Sequence, residues 1–141
     1  TKLDAEPVPE VKEGEALTPE YFDRLWAMLE TMHERGINHG DLRRKNLLRA
    51  PGDPSTPRMV DFTQCFHFRP PIRGVQRLIF HQAIRVDRVT FLKLKCWFLG
   101  AEHLTDEEKR EMKDIPWHLY LGRFVRKKLY RPVRRKLRGR T

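Results

Sequence analysis

Cysteine is scarce. Cys65 and Cys96 are the two in 141 residues, and neither belongs to a CxxC pair. That excludes a cysteine zinc cage and a disulfide-stapled scaffold, and it fits a reducing compartment. No apolar run approaches the ~18 residues that a membrane-spanning helix needs, and the mean hydropathy is −0.69. No basic start leads into an apolar segment of signal-peptide type. No internal repeat is visible. Acidic residues are missing altogether from 116–141.

What is present suits one domain with an appendage. Apolar residues make up 39% and charged residues 34%, enough for a core beneath a very polar surface. The net charge of +10 is unevenly placed. Of 29 Lys/Arg, ten fall between Arg123 and Arg140, and the other 19 match the 19 Asp/Glu. The body is neutral and the tail carries the excess, which bears on partners rather than on fold.

Residues 1–17 form an acidic lead-in, expected to be extended because Pro7 and Pro9 oppose helix. Thr18 then offers an N-cap, Pro19 fits the first helical position and Glu20 faces the positive end of the helix dipole. Phe22, Leu25, Trp26, Leu29 and Met32 recur at three- and four-residue steps, which predicts an amphipathic helix ended by Gly36. The proline- and glycine-rich stretch 50–57 reads as a turn, so 46–49 and 58–62 are expected to pair as a hairpin. Pro70 and Pro71 mark a break, and 63–84 carry no assigned element. A second helix is expected over 85–98, with Val86, Val89, Leu92 and Cys96 on one face. Thr105 and Glu108 form a capping box for a short helix that stops before Pro116.

The chemistry concentrates in His39-Gly40-Asp41-Leu42-Arg43-Arg44-Lys45-Asn46, followed by Asp61-Phe62 across the hairpin. Two carboxylates and an amide oxygen are hard ligands that suit Mg²⁺ better than zinc. A carboxylate left over from metal binding can accept a proton from an attacking hydroxyl. Each Asp alone is as well read as a turn or cap residue; the three together are not.

This pattern resembles the protein-kinase-like phosphotransferases, whose catalytic loop reads H-x-D-L-x-x-x-N and whose metal motif begins D-F. Four fixed positions match by chance on the order of once in 10^5 starts. The resemblance is to the atypical RIO, lipopolysaccharide (Kdo) and aminoglycoside kinase branches, with His39-Gly40-Asp41 in place of H-R-D and Asp61-Phe62-Thr63-Gln64 in place of D-F-G. It implies a mainly α fold, the C-lobe of an α+β kinase-like protein, with a small β-hairpin at the catalytic loop. It further implies ATP- and Mg²⁺-dependent transfer to a hydroxyl of a lipopolysaccharide sugar or a protein Ser/Thr. Asp41, His39 and Arg43 are then the catalytic candidates, and Asn46 and Asp61 hold the metal. His39 is read as bracing the loop backbone. Arg43 or Lys45 reaches for a transferred phosphate, or the two belong to a solvated basic loop. Asp87 anchors the loop from the following helix or lies on the surface.

The likeness covers roughly residues 15–115. No G-x-G-x-x-G, no V-A-I-K-like strand and no Ala-Pro-Glu segment occurs in the sequence. The expected organisation is a hinge-like lead-in over 1–17, a kinase-like C-lobe over 18–115 and a basic segment over 116–141, within a fragment of a longer enzyme. The contrary reading is a non-catalytic C-lobe that serves as a binding module. In the tail, Trp117, Leu121, Phe124, Val125, Leu129 and Tyr130 interleave with the cations. That pattern suits an anionic membrane surface, with nucleic acid and packing against the body as the other two readings; the expected location is cytoplasmic, peripheral at the inner face of the membrane.

Overall fold

The computed structural model describes residues 6–7 and 17–113. The tail and most of the lead-in lie outside these, and with them the expectations for 116–141. The elements are β1 (Glu6–Pro7), α1 (Pro19–Glu34), β2 (Ile37–Asn38), β3 (Leu47–Ala50), β4 (Asp53–Met59), β5 (Phe66–His67), α2 (Gly74–Leu99) and α3 (Asp106–Lys113). Three helices dominate. Beside them lie an antiparallel sheet ordered β1-β3-β4 and an antiparallel pair β2-β5. A hairpin forms as expected, but its second strand is 53–59 rather than 58–62; the third strand and the second sheet go beyond the expectation.

Helix α1 begins as its sequence dictates. The Thr18 side chain accepts from the Tyr21 N–H, and Pro19 occupies the first turn. Phe22, Leu25 and Leu29 form its buried stripe, joined by Tyr21. Leu42, Leu47, Phe91 and Leu92 close the core against them. Phe22 and Phe91 meet edge to face at 6.1 Å. The Tyr21 hydroxyl donates to the Leu48 carbonyl at 3.0 Å and so fixes α1 to β3. Burial also pushes the Tyr21 pKa well above its usual range.

Three expectations need correction. The turn expected over 50–57 is confined to Pro51 and Gly52, and β4 already starts at Asp53. Pro54 and Pro57 are compatible with this strand because β4 is an edge of its sheet, where missing N–H donors cost little. Helix α2 begins at Gly74, eleven residues before the expected start at Arg85. Its first turns hide no apolar stripe from solvent, because Val75, Leu78 and Ile79 are exposed. Its inward face is also rotated from the expected one: Asp87, Val89, Phe91 and Leu92 are buried, whereas Val86 and Cys96 are half-buried.

The capping box of α3 forms as written. The Thr105 hydroxyl accepts from the Glu108 N–H, and a Glu108 carboxylate oxygen accepts from the Thr105 N–H.

Candidate functional site

Two glycines set the course of the chain from α1 into the loop at 39–46. Gly36 (φ +75°) ends α1, and its carbonyl accepts from the Phe68 N–H at 2.8 Å. Gly40 (φ +75°) passes so close to the Gln64 carbonyl that any side chain there would collide with it. Only glycine combines that dihedral with that approach.

The loop is held from below by Asp87, which is 1% exposed. Its Oδ2 accepts from the His39 N–H at 2.7 Å and its Oδ1 from the Gly40 N–H at 2.8 Å. His33 adds a third bond, its Nε2 lying 3.1 Å from Asp87 Oδ2. Of the two readings of Asp87, anchor or surface residue, the geometry gives the anchor.

His39 is fully buried. Its Nδ1 accepts from the Asp41 N–H at 3.4 Å, so a neutral ring carries its proton on Nε2. That nitrogen has no hydrogen bond of good geometry among the described residues. Burial lowers the His39 pKa, against the opposing pull of Asp87, Asp41, the Val60 carbonyl and Asp61. The ring braces the loop, packed on Phe62 with centroids 5.0 Å apart.

Asn46 ties the two motifs together. Its side-chain N–H donates to the Asp41 carbonyl at 2.9 Å, and its own backbone carbonyl accepts from the Val60 N–H at 3.0 Å. The hairpin register, Leu47 opposite Met59, extends this pairing and puts Asp61 one residue beyond the partner of Asn46. Asp61 adopts a left-handed backbone (φ 65°, ψ 66°) and is the non-glycine residue with positive φ among those described. Strain of this kind is sustained only where surrounding contacts hold it, and it concentrates at functional sites. The Thr63 hydroxyl donates to Asp61 Oδ1 at 2.6 Å and is the main reason that its pKa lies below the usual carboxylate value; Lys45 and His39 add to this.

Asp41 is largely covered, and its Oδ1 pairs with Arg43 Nε at 2.5 Å. Arg43 is therefore neither a bare loop cation nor free to meet a phosphate while that pair persists. Among the described residues, no three of His, Cys, Asp and Glu converge as a metal cluster. The Asp61 carboxylate, on an exposed residue, and the amide oxygen of buried Asn46 are both hard donors of the kind a divalent cation takes.

His33 escaped the sequence reading, and its signal is weak, a histidine in the last turn of a helix. It also lines an open cleft of ≈ 970 Å³ among α1, α2 and α3 with Trp26, Arg85, Arg88, Arg110 and Glu111. None of Asp41, Asn46 and Asp61 lines that cleft. Among the described residues no helix is long and apolar enough to cross a membrane. No family model, curated protein or solved structure matches the chain.

Proposed function

We propose that the chain carries the catalytic loop and metal-binding residues of an ATP- and Mg²⁺-dependent phosphotransferase acting on a hydroxyl group, and that it corresponds to the C-lobe of a protein-kinase-like fold. The observation that carries this reading is the pair of bonds through Asn46, which holds Asp41 and the approach to Asp61 as one unit. Asn46 and Asp61 are the residues to hold Mg²⁺, which with ATP would supply charge neutralisation at the transferring phosphate. Asp41 is the residue to orient the acceptor hydroxyl and take its proton at a carboxylate oxygen. His39 keeps the loop in register through its ring, and Asp87 does so through its carboxylate. Arg43, paired with Asp41 Oδ1, is the cation to meet a transferred phosphate once that pair opens.

The acceptor is a lipopolysaccharide sugar or a protein Ser/Thr. The nucleotide would need a covering N-terminal lobe, for which this sequence holds neither a G-x-G-x-x-G loop nor a V-A-I-K-like strand. The location that fits is cytoplasmic, with the cationic 116–141 segment meeting the inner face of a membrane or, as a rival, nucleic acid. The Arg43–Asp41 pair favours a second reading, a kinase-like C-lobe that has kept its scaffold as a binding module and lost transfer.

One experiment separates the two. Phosphate transfer from γ-labelled ATP is measured for the natural full-length protein and its Asp41→Asn variant. Loss of a positioned general base lowers transfer about 10²–10⁴-fold, with folding retained. Equal transfer by both proteins removes Asp41 from the mechanism, and no transfer by either supports the binding module.

A further inference from the structure

The beginning of α2 is an unusual surface. Val75, Leu78 and Ile79 are 72%, 63% and 52% exposed. Their spacing, i, i+3 and i+4, puts them on one side of the helix. The preceding strand adds Phe66, 65% exposed, and just beyond it Phe68 packs at a tilt against Phe80 of α2, centroids 5.2 Å apart. Between Phe62 and Val86 there is no Asp or Glu, whereas Arg69, Arg73, Arg77 and Arg85 and two histidines fall in the same stretch. Arg69, Arg73 and Arg77 are all exposed.

Large apolar side chains standing in solvent lose free energy in proportion to their area, and a contiguous patch of them marks an interaction surface. Its charge selects the partner. Exposed arginines in the same stretch as exposed leucine, isoleucine and phenylalanine, with no carboxylate in that stretch, are complementary to an anionic lipid surface. There the apolar groups enter the acyl boundary while guanidiniums meet headgroup phosphates. We infer that the first turns of α2, with Val75, Leu78 and Ile79 entering the bilayer and Arg69, Arg73 and Arg77 at the headgroups, dock this domain on anionic membranes. This surface is distinct from the 116–141 segment and independent of phosphoryl transfer. An α-helix laid flat in this way need not be long enough to span.

The test is co-sedimentation of the full 141-residue chain with vesicles of 30% phosphatidylglycerol in phosphatidylcholine, against pure phosphatidylcholine. The comparison is between wild type and Leu78→Ser/Ile79→Ser, two exposed positions whose change leaves the fold intact by circular dichroism. Wild type is expected to partition into the anionic vesicles, less so at 0.5 M salt, and the double variant to partition about tenfold less or weaker still. In a Leu78→Trp protein, brominated phosphatidylglycerol should quench the added indole beyond the wild-type signal. Equal partitioning of wild type and double variant overturns the inference, and so does an unquenched indole. Concentration-dependent dimers abolished by the double variant, without vesicle binding, would likewise overturn it in favour of a second copy of the chain.

Discussion

Asp87 Oδ1 accepts the Gly40 N–H at 2.8 Å, so a carboxylate in the middle of α2 holds the backbone of a loop that follows α1. Its other oxygen takes the His39 N–H and the His33 ring. Asn at this position keeps the volume but replaces one acceptor with a donor, leaving a buried N–H facing a second N–H. Asp87→Asn should therefore cost about 1–3 kcal/mol in urea unfolding. A change within 0.5 kcal/mol would mean that the loop finds its course without the anchor.

His39 makes stability depend on pH. Its folded pKa lies below 6.5 because burial disfavours the charged ring. Above 6.5 both folded and unfolded forms are neutral and the contribution is in full. As pH falls below 6.5 the unfolded chain takes up a proton that the folded one refuses, and stability drops until the folded pKa is passed. The melting temperature should thus fall between pH 7 and pH 5, and His39→Gln should flatten that slope. Asp61 and Asp53, with pKa values lowered from 3.8, act only at more acid pH.

Gly40→Ala tests the loop directly. A left-handed dihedral costs an L-residue about 1–2 kcal/mol, and the collision with the Gln64 carbonyl forces the backbone to move as well. We expect a loss above 1 kcal/mol in denaturant unfolding, with amide NMR shifts concentrated at 38–46 and 62–66.

Tyr21→Phe removes one hydroxyl that donates to the Leu48 carbonyl. The expected cost is about 0.5–1.5 kcal/mol, read by thermal or urea unfolding, while Leu25→Ala in the same helix should cost about 2–5 kcal/mol. The two together rank the helix-to-sheet bond below the packed core.

The parts legible in the sequence are those with local signals. Thr18, Pro19 and the stripe Phe22-Leu25-Leu29 define α1, because caps and periodicity are properties of neighbouring residues. The Thr105–Glu108 box is equally local. The start of α2 was hidden because Val75, Leu78 and Ile79 face solvent, so apolar spacing there points away from the core. The length of β4 was hidden by Pro54 and Pro57, which a strand admits only at an edge, and edges are decided by the whole sheet. Asp41, Asn46 and Asp61 stand out by type and spacing, yet their union depends on the Asn46 bonds. His33 and the pairing of Arg43 with Asp41 arise from tertiary contact and leave no local trace.

The central claim is that Asn46 and Asp61 share a divalent cation beside Asp41. Its most direct measurement is a Mn²⁺ titration of the ¹⁵N-labelled chain, with amide broadening read residue by residue. The account predicts that Asp61, Phe62 and Asn46 broaden before all others, that Mg²⁺ competes, and that Asp61→Asn removes the effect. Broadening centred elsewhere, or unchanged in the Asp61→Asn protein, would contradict it.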